Sequence, residues 1–365
     1  MKVKNIIKCI LFPTMLLTTL GLINNYVFKK PTITENSVTN YVKEDENTLD
    51  GTFLGSSTVW HGIIPTQIWK ETGLTSRIIA KSPFHPGLDL DALELVFKKQ
   101  KDSIRFVYID LVSYFTLNDE NIHDFLVDYY FSFPEGSEER DTLVYKYPAL
   151  EKYQNGNHNL DDTLFEEHND FRRKDFWQQF TEEDRNFTKG FYSQNFGHPC
   201  KKRKVPDYKP ISLEDKNADG FKYLTEVLSF ADRHPNTKFI FARTARQLCD
   251  KEETEVDTFV FKWVKNYIQN ERPKEIKNAR KDYLVEDFAL KANEIGIDEK
   301  TDLRDANHLN VKGAIKNTKY LSKYLKKNVD VTNIKHSKKV EDDFGDCYKK
   351  TENYLQYIQK HNIGH

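Results

Sequence analysis

The stretch "IRFVYIDLV", residues 104–112, is apolar almost throughout. A strand with one face in water alternates apolar and polar residues, whereas a strand covered on both faces reads as a continuous apolar run. Segments with the helical spacing of apolar residues precede and follow it, at 88–103 and 218–235. Strands that alternate with helices predict a parallel sheet covered by helices, which is a three-layer α/β/α fold.

Four further segments are candidate strands: the short apolar "TFLG" (52–55), then "SRIIAKS" (76–82), "TKFIFAR" (237–243) and "DYLVEDF" (282–288). The last of them is either a fifth strand or the start of a helix. The sequence therefore predicts an α/β domain over residues 51–330, with a mostly parallel sheet of five strands. Residues 116–210, rich in acidic, aromatic and Asn residues, break the alternation and predict a helical insertion after the third strand.

The two ends of the chain differ in character from this domain. Residues 1–30 hold an apolar run flanked by lysines, which is just long enough to cross a bilayer as a helix. It is either an uncleaved anchor or a cleaved signal segment, and bulky residues in "LGLINNYVF" (20–28) favour the anchor. The lysines ahead of it predict a cytoplasmic N-terminus and an exported body. Residues 31–50 indicate a polar stalk, and residues 331–365 a charged helical extension.

Composition restricts the classes of function. The chain of 365 residues has a formal net charge of −1, which argues against a general nucleic-acid binder. None of the four cysteines forms a C-x-x-C pair, so a zinc ribbon or a redox motif is not indicated. One disulfide among Cys200, Cys249 and Cys347 remains open.

Two serines follow the first predicted strand in "FLGSSTVWHGIIP" (53–65). Ligands of open parallel sheets bind beyond the carboxyl ends of the strands, where these serines fall. A serine nucleophile needs a base, and the base needs an orienting group. The segment "TDLRDANHLNVKGA" (301–314) offers Asp305 and His308 immediately before a predicted helix. Each motif also has a simpler explanation, a polar turn for the serines and a helix cap for Asp305 or Asn307. Their combination favours a Ser–His–Asp site.

Three more side chains are candidates for the same edge of the sheet. His61 and His85 follow the first two strands and are expected to line a pocket, and Arg243, which ends the fourth, could hold an anionic substrate. The alternative for Arg243 is a surface ion pair. A metal site that recruits these histidines is disfavoured because their spacing matches no ligand motif. No metal and no cofactor are therefore expected.

The two motifs together resemble the first and last blocks of the SGNH (GDSL-like) hydrolase superfamily, with Gly-Ser-Ser at 55–57 in place of Gly-Asp-Ser. More narrowly, the chain resembles membrane-anchored SGNH proteins that modify bacterial cell-envelope polysaccharides. The resemblance implies a flavodoxin-like arrangement of the sheet. It implies that Ser57 is the nucleophile, His308 the general base and Asp305 its orienter, while Ser56 shapes the turn. The implied oxyanion hole consists of the backbone N–H groups of Ser57 and Ala80.

The third block of that family departs from the pattern here. It contributes an Asn side chain to the oxyanion hole, whereas "VYIDLVSYF" (107–115) contains Asp110, Ser113 and Tyr114 but no Asn. The resemblance implies an esterase or O-acyltransferase that acts on acyl groups, acetyl in particular, of a cell-surface polysaccharide. It also implies work beside a membrane-bound O-acyltransferase. The alternative is a non-catalytic assembly or carrier-binding factor that kept the fold.

Overall fold

The computed structural model describes residues 33–80, 84–116, 122–154, 185–193, 219–246, 258, 261–305 and 307–361, and positions 11–12, 14–16 and 18–19. The chain divides into two compact units. One consists of Met1–Asn36, Tyr130–Glu183 and His365, and the other of Ser37–Tyr129 and Asp184–Gly364. The second unit contains all five strands of the sheet, and we call it the sheet unit.

The sheet unit is built on five parallel strands in the order β2-β1-β3-β4-β5. Their bounds are β1 Gly51–Gly55, β2 Ser76–Ala80, β3 Phe106–Asp110, β4 Lys238–Arg243 and β5 Leu284–Asp287. The predicted parallel sheet is thus confirmed, and the ambiguous segment 282–288 contains a strand. The register pairs Gly55 with Ala80, Asp110 with Ala242, and Arg243 with Asp287, so the carboxyl ends of the strands share one edge.

Every residue of β1, β2 and β3 is buried, on both faces of the sheet. This explains why "IRFVYIDLV" shows no alternation: helices cover both faces, and burying apolar side chains is the main favourable term in folding. The aromatic side chains contribute much of this core, as the edge-to-face pair Phe53–Phe106 shows, with ring centroids 5.3 Å apart.

The helices of the described residues have the following bounds, in chain order. The α-helices are α1 Ile33–Val42, α2 Ser57–Gly62, α3 Pro65–Thr72, α4 Asp89–Lys99, α5 Val112–Thr116, α6 Ile122–Phe131, α7 Glu138–Lys146, α8 Glu151–Gln154, α9 Asp219–Asp232, α10 Arg272–Glu275, α11 Ala292–Ile295, α12 Val311–Asn328 and α13 Lys338–His361. Short 3-10 turns occupy Pro86–Leu88, Pro148–Leu150 and Arg185–Thr188, and a π-helical turn occupies Tyr267–Glu271. Residues 261–266 are also helical. Helices α6, α7 and α8 lie within the predicted insertion.

The segment predicted as a stalk is part of the sheet unit from Ser37 onward. Val38, Tyr41 and Leu49 are buried in the core, and the Ser37 hydroxyl donates to the carbonyl oxygen of Ile78 in β2 at 3.0 Å. The stalk prediction for residues 31–50 is therefore wrong in this part. Its polar sequence misled because three apolar residues among many polar ones, Val38, Tyr41 and Leu49, are enough to pack the segment on the core.

The C-terminal extension is the predicted helix, but it packs on the sheet unit. Phe344 and Ile358 of α13 are buried, and the Phe344 ring contacts the Trp69 ring of α3 at a centroid distance of 6.1 Å. Cys347 of α13 is a buried free thiol whose pKa burial raises. Cys200 and Cys249 lie outside the described residues, so a disulfide between these two cysteines stays an alternative that the sequence leaves open.

The N-terminal anchor prediction falls mostly outside the described residues. Among the helices that the structure does describe, none is long and apolar enough to span a membrane.

Candidate active site

The turn that presents Ser57 depends on a glycine. Strand β1 ends at Gly55, whose φ is +155°. A Cβ atom there would lie 2.6 Å from the Asp110 Cβ and 2.6 Å from the Val59 Cγ2. Only glycine allows the chain to pass so close to β3 and turn directly into α2. Ser56 is the N-cap of α2 and Ser57 is its first residue, so the hydroxyl lies at the carboxyl edge of the sheet.

The turn that presents His308 is closed by its own hydrogen bonds. Leu303 and Leu309 form an antiparallel bridge, and the Arg304 N–H donates to the His308 carbonyl oxygen at 2.9 Å. Inside the turn, Asp305 Oδ1 accepts from the backbone N–H groups of Asn307 (2.8 Å) and His308 (3.1 Å). We call residues 303–309 the base turn. Its described residues, 303–305 and 307–309, are not helical, yet the turn places the Asp305 and His308 side chains together.

Helix α12, which follows the base turn, joins it to α2, the helix that begins at Ser57. Asn310 caps α12 by accepting from Lys312 and Gly313, so the helix cap is neither Asp305 nor Asn307. One turn further, the Asn317 side chain donates to the Gly62 carbonyl oxygen of α2 at 2.8 Å. The Thr318 hydroxyl accepts from the Ile64 N–H at 3.0 Å. These contacts explain how two motifs more than 240 residues apart come to lie side by side.

The structure brings Ser57, His308 and Asp305 into one hydrogen-bonded chain. Ser57 Oγ lies 2.7 Å from His308 Nε2, and His308 Nδ1 lies 2.7 Å and 2.9 Å from the two carboxylate oxygens of Asp305. A carboxylate beside Nδ1 places the neutral imidazole's proton there, which leaves Nε2 as the acceptor for the Ser57 hydroxyl. This geometry can remove the serine proton and stabilise the resulting imidazolium.

The electrostatics favour an ionised Asp305. Burial alone would raise the pKa of this carboxyl, but the hydrogen bond and charge of His308, the Asn307 amide and the Arg304 guanidinium outweigh burial and hold the pKa well below its usual value. Ser57, His308 and Asp305 are each only partly buried. The hydrogen-bonded chain is therefore reachable from solvent while its acid stays charged.

His61, predicted to line the pocket, lies beside the base but is buried. Its ring centroid is 4.9 Å from that of His308, and its Nε2 accepts from Arg304 Nη1 at 2.6 Å. Burial, reinforced by the charges of His308 and Arg304, lowers the pKa of His61 well below its usual value. The imidazole is consequently neutral, and it contacts the base turn rather than open solvent.

His85 and Arg243 hold structural contacts, and their predicted substrate roles are wrong for this arrangement. His85 is fully buried: its Nδ1 accepts from the Gly87 N–H at 3.1 Å and its ring meets that of Tyr223 at 5.6 Å. The buried Arg243 guanidinium donates two hydrogen bonds to the Asp287 carboxylate, of 2.9 Å and 2.6 Å. Asp287 therefore occupies the position in which an anionic substrate was expected to bind. The alternative of an ion pair is correct, although the pair is buried rather than on the surface.

The predicted oxyanion donor Ala80 is engaged elsewhere. Its backbone N–H donates to Ser37 Oγ at 3.1 Å, so it is not available to a substrate oxygen, and this prediction is wrong. Residues 81–83, which follow directly, lie outside the described residues. Ser57 opens α2, where N–H groups have no acceptor within the helix, and its predicted donor role stays a prediction.

Asp110 lies at the end of β3, where the family resemblance implies an Asn. It is buried and accepts hydrogen bonds from the Thr58 hydroxyl (2.7 Å) and from the Thr244 N–H (3.0 Å) and hydroxyl (3.1 Å). The Thr58 hydroxyl lies 3.0 Å from Ser56 Oγ. Burial raises the pKa of Asp110, and these hydrogen bonds oppose the shift. As an acceptor, Asp110 therefore ties the start of α2 to Thr244, the residue that follows β4.

The other two candidates, Ser113 and Tyr114, lie in α5, just after the third strand, and are also internal. The Tyr114 hydroxyl donates to Asp89 Oδ2 at 2.5 Å, and burial raises the pKa of Asp89 to about 8. Ser113 is buried. Sequence reasoning missed Arg304, Thr58 and Thr244, which contact the site through ordinary polar positions that no pattern distinguishes.

Comparison with known proteins adds little. No family model matches the chain, and no curated protein matches it. Among solved structures, it is similar to a chain from Streptococcus pneumonia that is described provisionally as a platelet activating factor. The identity is 12%, the TM-score is 0.34, and the match covers 85% of this chain and 99% of that one. So low a score leaves the chemistry of the site to its own geometry.

Proposed function

We propose that this chain is an SGNH-type serine esterase or O-acyltransferase that acts on acyl groups, acetyl in particular, of a cell-surface polysaccharide. The observation that carries the proposal is the continuous hydrogen-bonded chain from Ser57 Oγ through the His308 imidazole to the Asp305 carboxylate. This constellation on a strand-to-helix turn is an arrangement that acyl-transfer enzymes reach on unrelated folds. The resemblance of the two sequence blocks supports the same reaction class.

The mechanism follows from the two imidazole nitrogens. As Ser57 Oγ attacks the ester carbonyl carbon, His308 Nε2 takes the hydroxyl proton and Asp305 stabilises the imidazolium. The tetrahedral intermediate collapses to an acyl-serine as the C–O bond of the leaving alcohol breaks, and the alkoxide takes the proton back from His308. Water or a sugar hydroxyl then gives its proton to His308 as its oxygen attacks the acyl carbon. The bond from that carbon to Ser57 Oγ breaks, and Oγ takes the proton from His308, which restores the serine hydroxyl and the neutral imidazole.

The negative charge on the carbonyl oxygen needs backbone or side-chain donors. The Ser57 N–H, directly at the nucleophile, is the donor that we assign. Loss of a single such donor typically costs about 10²–10³ in rate. Because Ser, His and Asp complete the reaction among themselves, the proposal requires no cofactor.

The proposed setting rests on the sequence of the N-terminus. A lysine-flanked apolar run of anchor length supports an anchor that would hold the sheet unit outside the cytoplasm, at the cell membrane. There the acyl donor or acceptor is a cell-surface glycan, and the proposed partner is a membrane-bound O-acyltransferase. Nucleic acid is not proposed, given a net charge of −1.

The proposal is tested with an aryl acetate and with an O-acetylated polysaccharide as substrates. Wild-type protein should release about one equivalent of the aryl alcohol in a burst, because the acyl-serine accumulates, and the polysaccharide should lose acetate. Ser57→Ala should abolish both. Ser229→Ala, which removes a hydroxyl bound to a backbone carbonyl within α9, is the matched control and should retain both. Equal turnover by the Ser57 variant would refute the proposal.

A second candidate is a non-catalytic factor that binds the glycan or its carrier. It is favoured by two observations: the Ala80 N–H is engaged by Ser37, and Asp110 accepts hydrogen bonds where a donor is implied. Saturable binding of the polysaccharide by folded wild-type protein, without acetate release and without an acyl-serine by intact mass, would support this candidate over the enzyme.

A further inference from the structure

The helix that carries Ser57 also carries the group against which His308 rests. His61 follows Ser57 by four residues in α2, so the two side chains share one face of the helix. The His61 ring meets the His308 ring at a centroid distance of 4.9 Å and an interplanar angle of 66°. Because His61 is 2% exposed, its ring has little freedom to move. The buried His61 ring therefore limits how far the His308 imidazole can move.

Arg304 connects His61 to the base turn. Its Nη1 donates to His61 Nε2 at 2.6 Å, and its backbone N–H donates to the His308 carbonyl oxygen at 2.9 Å. Its Nε lies 3.7 Å from Asp305 Oδ2. One residue thus contacts α2, Asp305 and His308. Its side chain is 26% exposed, so the contact with His61 lies at the edge of the site and not in the core.

The partner of the Arg304 guanidinium, His61, is neutral. This suits a site in which His308 becomes positively charged during the proposed reaction. An arginine always donates, so His61 Nε2 must be an acceptor and its ring proton must sit on Nδ1. Burial and the neighbouring charges keep His61 uncharged. A second cation beside His308 would oppose formation of the imidazolium, and a neutral imidazole fixes the guanidinium without adding one.

We propose that His61 and Arg304 form a positioning pair that holds the base turn against α2 and keeps His308 Nε2 directed at the Ser57 hydroxyl. The inference rests on the proposed function and assigns these residues a role that acts through His308. Neither residue touches the substrate. Displacement of a reacting group by about 1 Å costs about 10² in rate, which sets the expected size of the effect.

The first test measures aryl acetate kinetics on four single variants of the full chain and one double variant. His61→Phe keeps a ring but removes the acceptor, and Arg304→Met keeps the length but removes the donors. Each should lower kcat about 10- to 100-fold with KM within about twofold. His61→Gln and Arg304→Lys, which retain an acceptor and a donor, should recover part of the loss.

The double variant His61→Phe/Arg304→Met decides whether the two residues act as a pair. If they do, the second substitution adds little, and the double variant falls no further than the worse single one. Multiplying losses would overturn the proposal, because they would mean independent roles. A rise in KM with unchanged kcat would also overturn it, because it would place the guanidinium on the substrate. Thermal unfolding identifies any variant that does not fold, and the two conservative variants then decide.

A second readout separates failure of this inference from failure of the proposed function. The proton shared by His308 Nδ1 and Asp305 should give a low-field proton resonance, assigned by its loss in Asp305→Ala. It should be lost or broadened in Arg304→Met and kept in Arg304→Lys. A resonance unchanged in Arg304→Met would refute the positioning role even if the enzyme is active. A resonance that responds as expected in a protein without turnover would retain the pair and refute the esterase.

Discussion

Two histidine–aspartate pairs lie at opposite ends of strand β1, and only one has the geometry of a base. At the amino end, His336 Nε2 lies 3.0 Å from Asp50 Oδ2 and 3.2 Å from the Gly73 carbonyl oxygen, so one nitrogen faces two acceptors. At the carboxyl end, His308 gives one nitrogen to Asp305 and the other to the Ser57 hydroxyl. A His–Asp contact is therefore not in itself a catalytic feature. The hydroxyl on the second nitrogen makes the difference.

The surroundings of the two carboxylates differ in the same sense. Asp50 also accepts from the Thr75 N–H and hydroxyl and from Arg105 Nε, and so ties together the residues that directly precede β1, β2 and β3. The hydrogen bond to Asp50 raises the pKa of His336 and favours a fixed cation. Asp305 instead accepts its hydrogen bonds from backbone N–H groups of the base turn and from His308 Nδ1. The amino-end pair ties the C-terminal segment to the sheet, and the carboxyl-end pair is arranged to move a proton.

The largest expected difference between the two ends is in turnover. Ser57→Ala and His308→Ala should each lower kcat/KM for an aryl acetate by at least about 10³, because members of such a unit fail together. His336→Ala, which removes the other imidazole, should leave turnover within about twofold. A loss in His336→Ala comparable to that in His308→Ala would mean that the two pairs are not functionally distinct.

The orienting carboxylate should matter less than the nucleophile and the base. Asp305→Ala should retain about 10- to 100-fold more activity than His308→Ala, because the imidazole can still take the proton without its orienter. Steady-state kinetics on both variants, prepared side by side, measure the ratio. An Asp305→Ala variant as inactive as His308→Ala, with native stability, would assign the carboxylate a larger role than the mechanism gives it.

The glycines at the two ends of β1 offer a matched pair of substitutions. In Gly51→Ala the new Cβ would lie 2.0 Å from the Phe106 ring, and in Gly55→Ala it would lie 2.6 Å from the Asp110 Cβ. Overpacking of this kind typically costs about 1–3 kcal/mol of unfolding free energy, so both variants should be less stable. Only Gly55→Ala should also lose turnover per folded molecule, about 10-fold or more, because it displaces Ser57.

Chemical denaturation gives the stability of each glycine variant, and an active-site titration gives the turnover per folded molecule. If Gly51→Ala lost as much specific activity as Gly55→Ala, the effect would be general loosening of the sheet. The strand-to-helix turn would then not be a special determinant of the nucleophile's position.

The smallest expected effect is on the pH dependence of stability at the amino end. Because the folded-state pKa of His336 is raised, its pairing with Asp50 stabilises fully below pH about 6.5 and loses this contribution as the pH rises through the folded-state value. The stability advantage of wild type over His336→Gln should therefore shrink from pH 6 to pH 9, by at most about 1 kcal/mol. Urea unfolding at both pH values measures it. An advantage that grows with pH would contradict the assignment.

The sequence is informative where one physical cause dominates a segment. Apolar runs without alternation predict the central strands because a sheet covered on both faces has no water-facing side on which polar residues would recur at every second position. Gly55 and the serines predict the turn because a backbone that approaches Asp110 so closely tolerates no side chain. The Asp305–His308 spacing predicts their juxtaposition, although the local structure is a hydrogen-bonded turn and not the helical face that the spacing suggests.

Prediction fails where a long-range partner decides the role of a residue. Arg243 lies at the correct edge, but its neighbour in the register, Asp287, already binds it. The Ala80 N–H lies beside the site, yet it donates its hydrogen bond to Ser37 Oγ. Ser37 belongs to a segment whose polar composition predicts a stalk. His61 was expected to face the substrate, and the unexpected partner Arg304 places it behind the base. None of these partners is recognisable from local pattern.

The most direct measurement is labelling with an active-site fluorophosphonate, followed by mass-spectrometric mapping of the modified residue. The reagent forms a bond only to a serine whose proton a base removes. Wild type and His336→Ala should each carry one equivalent of label on Ser57, and Ser57→Ala and His308→Ala should carry none. Folded wild-type protein that stays unlabelled, or that carries the label on another serine, would contradict the proposed mechanism.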